Sequence, residues 1–82
     1  MMPTDFTMEY VSDPRYELLA IEVSFRGQRL FQANKERGEI ELEFDLNPRL
    51  LGAQVDMRFS LEDLLAVLSH VRGEMEKINR DE

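Results

Sequence analysis

Side chains able to do chemistry are most concentrated in one short stretch. Glu39, Glu41, Glu43 and Asp45 fall at every second position of GEIELEFD, with Ile40, Leu42 and Phe44 between them. Spacing of two on an extended chain puts the four carboxylates on one face and the apolar residues on the other. Such a row has three chemical uses: metal ligation, acid–base catalysis by a carboxylate pair, or attraction of a basic partner. Same-face residues two apart on a strand stand about 6.5 Å apart, so consecutive carboxylates do not converge on one ion. No calcium-loop pattern is present, and a carboxylate pair needs a cleft that drives its two proton affinities apart, which an open sheet face lacks. The third use survives.

Other chemistry is thin. His70 is the only histidine, and Glu74 one turn on makes it half of a surface i,i+4 pair. Ser69 beside it points elsewhere, because neighbours at i,i+1 on a helix do not face one another. With no cysteine there is no disulfide framework, thiolate chemistry or sulfur-ligated metal. Phosphate-loop, dinucleotide-binding and zinc-protease patterns are absent too, so the chain reads as non-enzymatic, with no cofactor and no metal.

Ten Lys and Arg against seventeen Asp and Glu give a net charge of −7. That argues against nucleic acid and against an anionic membrane surface, both of which call for an excess of positive charge. It favours rapid encounter with a basic protein. The first residues lack the basic-then-apolar order of a secretory signal, and no apolar run is long enough for a membrane span, so a cytoplasmic location is expected.

The elements that must carry these residues follow from hydrophobic period. Eighty-two residues make one domain, 1–82, near the lower size for a self-sufficient core. Leu19, Ile21, Val23 and Phe25 alternate with polar neighbours, Arg26-Gly27-Gln28 makes a turn, and Arg29 to Ala33 returns. A polar loop, Asn34 to Gly38, leads into the acidic strand, completing a three-stranded meander over 16–46. Asn47-Pro48 breaks the pattern; Val55, Met57 and Phe59 then resume alternation, predicting a fourth strand at 54–59. Residues 1–14 read either as a loose arm or, through Phe6, Met8 and Tyr10, as an edge strand.

Ser60 fits a helix N-cap, with Asp63 three residues on, acids in the first turn, and Phe59 placed to staple onto Leu64. Leu61, Leu64, Leu65, Leu68, Val71, Met75 and Ile78 form one stripe, predicting a helix over 61–79. Gly73 inside it implies either a close packing contact or a weakened last turn. The fold class is therefore α+β: an antiparallel sheet of three to five strands in meander order, one face closed by a C-terminal helix.

Side-chain parity decides what accompanies the acids. A first hairpin with a two- or four-residue loop turns Leu30 inward, leaves Gln32 needing partners in the core, and sets Phe31 outside across from Glu43 with Arg29 across from Asp45. A three-residue turn buries Phe31 and Ala33 but points Arg29 inward. The first parity is preferred because Arg29 then meets an acid, and Arg58 of the fourth strand joins the same face. On that reading Glu22, Phe31, Glu39, Glu41, Glu43 and Asp45 form a partner-binding face, an aromatic anchor among acids. The plainer reading is a solvated sheet face whose acids are neutralised by cross-strand arginines. A homodimer paired through an exposed strand edge is the alternative assembly, with the acids serving solubility.

The order of elements resembles a loose group of small bacterial proteins, some of them similar to immunity proteins that neutralise polymorphic toxins. The resemblance rests on Glu22 to Leu30, on Asn34, Glu36 and Gly38, on Ile40 to Phe44, and on Phe59 to Leu65. It spans roughly residues 16–79 and implies a protein partner, without assigning functional positions.

Overall fold

The structure, a computed structural model, describes residues 2–44 and 57–78. Four strands, β1 (Phe6–Val11), β2 (Ala20–Phe25), β3 (Gln28–Asn34) and β4 (Glu41–Phe44), precede one helix, α1 (Leu61–Met75). The strands lie in the order β1-β2-β3-β4, each antiparallel to its neighbour, so the fold is an α+β meander with a C-terminal helix. The N-terminal segment is an edge strand: Phe6, Met8 and Tyr10 stand across from Phe25, Val23 and Ile21, and the matching apolar parity holds it in register. Of the strand expected at 54–59, residues 54–56 lie outside the described residues, and Met57, Arg58 and Phe59 belong to no ladder.

The β2–β3 hairpin closes through Arg26 and Gly27, both at positive φ (52° and 86°), the primed two-residue geometry that matches strand twist. The register then slips. Phe25 faces Gln28 and Ser24 faces Arg29, but Val23 faces Phe31, leaving Leu30 as the extra residue of a β-bulge. This overturns the expected parity. Phe31 is fully buried, Ala33 beside it also, and Gln32 and Asn34 turn to the other face. The bulge satisfies both competing demands: Arg29 stays outside, where it meets Glu22 at 2.6 Å, and Phe31 goes in. Each of the two unbulged hairpins considered from sequence could meet only one.

The core lies between the helix-facing side of the sheet and α1: Ile21, Val23, Phe25, Phe31 and Ala33 against Val67, Val71 and Met75. At one end Phe6, Phe25 and Phe59 form an aromatic trio with centroids 4.9–5.2 Å apart, each pair adding about 0.5–1.5 kcal/mol beyond area burial. Phe59 thus ties the helix start to the sheet. One residue on, Ser60 caps α1 by accepting from the Asp63 backbone N–H at 3.0 Å.

The helix ends at Met75, not at 79. Lys77 and Ile78 donate to the carbonyls three residues back, a tightened turn that delivers Ile78 into the core. Gly73 makes no close packing contact. The buried stripe centres on Val67, Val71 and Met75; Leu65, about 120° round from Val71, is half exposed, and Leu61 more so. On β4, Leu42 and Phe44 keep the helix-side parity expected of them, yet remain 40% and 53% exposed. Both sit at the sheet margin. Leu42 borders a cleft of about 290 Å³ shared with Ile40, Leu68, Val71 and Arg72, whereas the Phe44 ring lies 5.5 Å from that of Phe31.

Candidate functional site: the outer face of the sheet

Pairing register brings polar residues into one line across the face away from α1. Glu9 of β1 faces Glu22 of β2, Glu22 faces Gln32 of β3, and Gln32 faces Glu43 of β4. With strands about 4.8 Å apart, this row runs about 14 Å across the whole sheet. A second outer pair, Asn34 and Glu41, lies beside it. Two of its members, Glu22 and Glu43, are among the expected acids. Glu9 and Gln32 are not: the alternation of Phe6, Met8 and Tyr10 leaves 1–14 open between an arm and an edge strand, and the bulge is not visible in local spacing.

The other expected site residues are distributed differently. Phe31 is no exposed anchor; it is a core residue on the opposite face. Glu39 is exposed in the loop before β4, Glu41 pairs with Arg37 at 3.5 Å, and Asp45 lies outside the described residues. Arg29 forms an ion pair with Glu22, and the acid expected across from it, Asp45, lies outside the described residues.

The outer face is partly covered by the chain itself. Asp13 and Arg15, in the segment, or strap, between β1 and β2, reach Gln32 and Glu43 of this face, and Gln32 and Asn34 are each only 5% exposed. The strap is held by a turn, with Tyr16 N–H donating to the Asp13 carbonyl at 2.9 Å, and by Leu18 N–H donating to the Glu36 carboxylate at 2.6 Å. Its working part is Arg15. One edge of that guanidinium donates to Asp13 (2.8–3.2 Å) and its far end to both carboxylate oxygens of Glu43 (3.0 and 3.2 Å). The Arg15 backbone N–H also donates to Asp13 at 2.9 Å. Those bonds, led by the Arg15 side chain, hold the Asp13 carboxyl far below the usual carboxylate range, and the same two acids push Arg15 upward. Forked geometry of this kind is what distinguishes arginine from lysine at carboxylates.

Gln32 is bonded to the same Asp13. Its Nε2 donates to Asp13 Oδ2 at 3.3 Å, while Oε1, in the same buried amide, accepts from no group. A buried unpaired carbonyl oxygen is uncommon and costly.

A second polar cluster joins β1 to α1. The Tyr10 hydroxyl donates to Glu74, which also receives Lys77 Nζ at 3.2 Å, so these two groups bond Glu74 in place of the His70 partner expected from i,i+4 spacing. Tyr10 is pushed up by its bond to Glu74, and Glu74 is held down chiefly by Tyr10 and then Lys77. Among the described residues no cluster of three or more His, Asp or Glu is placed to hold a metal, and no helix is long and apolar enough to cross a membrane.

Set beside protein-family models, curated proteins and solved structures, the chain matches none of them.

Proposed function

We propose that this chain is a non-enzymatic protein-interaction module that presents the acidic outer face of its sheet to a basic protein. The observation that carries the reading is the row Glu9–Glu22–Gln32–Glu43, in register across four strands, in a chain of net charge −7. Three carboxylates in one line give a local field stronger than scattered charge, and such a field steers a positive surface into contact. Partial neutralisation by Arg15 and Arg29 does not remove it, since the three carboxylates of the row and Asp13 outnumber these two cations. An inhibitor or immunity role is the form of this reading in which the basic partner is a toxin, as the resemblance to immunity proteins implies.

The test compares two double charge reversals of equal net change. Glu9→Lys with Glu43→Lys alters the outer face, and Glu62→Lys with Glu76→Lys alters the helix. Against a basic probe peptide, or a partner recovered from the native host, the face variant is expected to bind more slowly and with a flatter salt dependence, and the helix variant to behave as the parent. Equal losses from both would reduce the effect to net charge and reject the face.

One observation favours a second reading, pairing of two copies through β4. That strand has a neighbour on one side only among the described residues, and its Leu42 and Phe44 stay substantially exposed. Sedimentation over a wide concentration range decides it: a concentration-independent monomer removes the homodimer.

A further inference from the structure

Arg15 occupies a place that a partner's arginine would fit. Asp13 and Glu43 together present carboxylate oxygens to a single guanidinium, and all three of its nitrogens find acceptors. Yet the Arg15 side chain is 54% exposed, so it sits on the site from the solvent side and its ion pairs are the weakly held surface kind. Next to Asp13, to which Gln32 Nε2 donates, the buried side-chain atom left without a partner among the described residues is an acceptor, Gln32 Oε1, on a residue 5% exposed. A site of two carboxylates and one unfilled carbonyl oxygen calls for a donor-rich planar cation, and Arg15, approaching from within its own strap, donates to both carboxylates and leaves the carbonyl unmet.

We infer that Asp13, Glu43 and Gln32 form a guanidinium-recognition site on the outer face, that Arg15 is its built-in occupant, and that an arginine of a basic protein partner displaces Arg15 on binding. The inference rests on the acidic-face reading and names the partner's anchoring chemistry. Exchange requires only the Arg15 side chain to swing out. The strap stays tied by Leu18 to Glu36 and by the packing of Leu18 on the core, so the face keeps its shape while the cation is exchanged. An incoming guanidinium has five N–H donors in a rigid fork, enough for both carboxylates and the Gln32 oxygen; a lysine ammonium is a point charge with no such fork. Arginine is therefore preferred over lysine. A partner's affinity is reduced by the fraction of time Arg15 holds the site.

The experiment titrates the full chain with two nine-residue peptides of equal charge, one arginine-rich and one lysine-rich, at fixed low salt. The parent is expected to bind the arginine peptide more tightly. Arg15→Ala is expected to tighten the arginine peptide by about threefold or more, as the competitor is gone, and to change the lysine peptide much less. Gln32→Met, similar in shape but without the Oε1 acceptor and the Nε2 donor to Asp13, is expected to erase the arginine preference while leaving overall binding in place. Equal tightening of both peptides in Arg15→Ala would mean that only net charge had changed, and no tightening would mean that Arg15 is not a competitor; either result overturns the site. Helical circular dichroism checks folding, and Arg15→Gln, which keeps length and polarity, replaces the alanine variant if that one unfolds. Failure of the acidic-face reading is a separate result: neither peptide binds, or binding survives Glu9→Lys with Glu43→Lys unchanged.

Discussion

Val23 and Phe31 face one another across β2 and β3, although their neighbours Ser24 and Arg29 are also a pair. The residue left over, Leu30, is the hinge on which both faces of the sheet depend. Ahead of it Arg29 points outward to Glu22; behind it Phe31 points into the core and Gln32 outward to Glu43. Phe31→Ala is expected to cost about 3–5 kcal/mol in urea unfolding, and Leu30→Ala, at a half-buried position, about 1 kcal/mol. Comparable costs at the two positions would contradict the bulge.

The hairpin glycine and the helix glycine are expected to respond oppositely to alanine. Gly27 has φ +86°, where a Cβ is strained whatever the space, so Gly27→Ala should destabilise by roughly 1 kcal/mol. Gly73 is helical with nothing near its would-be Cβ, so Gly73→Ala should stabilise by roughly 1 kcal/mol. Thermal midpoints of the two variants provide the check.

Acid should weaken the strap. Asp13 has its folded pKa depressed by Arg15, so its contribution is complete above the unfolded carboxylate value, about 3.9, and is lost as pH falls below it toward the folded value. Asp13→Asn is expected to be less stable than the parent at neutral pH, with the gap closing as pH drops below about 4. Urea midpoints from pH 7 to pH 2.5 measure the gap; one that stays constant would mean the Arg15 bonds contribute nothing.

Base should act at the other cluster. Tyr10 has its folded pKa raised by Glu74, so the stabilisation is present below the free phenol value, about 10, and disappears as pH rises through the folded value. Tyrosinate absorbance should show one of the two tyrosines titrating late. Tyr10→Phe should abolish the late phase and leave the stability of the chain less sensitive to pH above 10. Two tyrosines titrating together near the free value would remove the Tyr10–Glu74 bond.

Much of the scaffold is legible in local pattern. Alternation in Ile21-Glu22-Val23-Ser24-Phe25 and in Glu41-Leu42-Glu43-Phe44, the Arg26-Gly27 turn, and the Ser60 cap with its acidic first turn each express a constraint that acts within a few residues. The candidate site is only half legible. Glu22 and Glu43 announce themselves by period two; Asp13, Arg15 and Gln32 do not. Asp13 and Arg15 lie in an aperiodic loop, and Gln32 reads as core or surface according to a bulge two residues before it. Val67, fully buried, was outside the expected helical stripe, and Leu61 and Leu65, inside it, are exposed. Leucines on both flanks widen the apolar arc of α1, and only the position of the sheet selects which part of that arc is covered.

From its residues alone the chain determined that it would be a meander of strands closed by a capped C-terminal helix, and that its carboxylates would gather on one side of the acidic strand. Those outcomes rest on backbone periodicity, capping and turn chemistry, which are short-range. Tertiary structure alone decided that Phe31 would be core, that Glu9 through Glu43 would line up across four strands, and that Arg15 would lie over Asp13 and Glu43. A single unpaired residue reverses strand parity, and an ion pair between positions 28 apart in sequence forms only after the strap and the sheet have met.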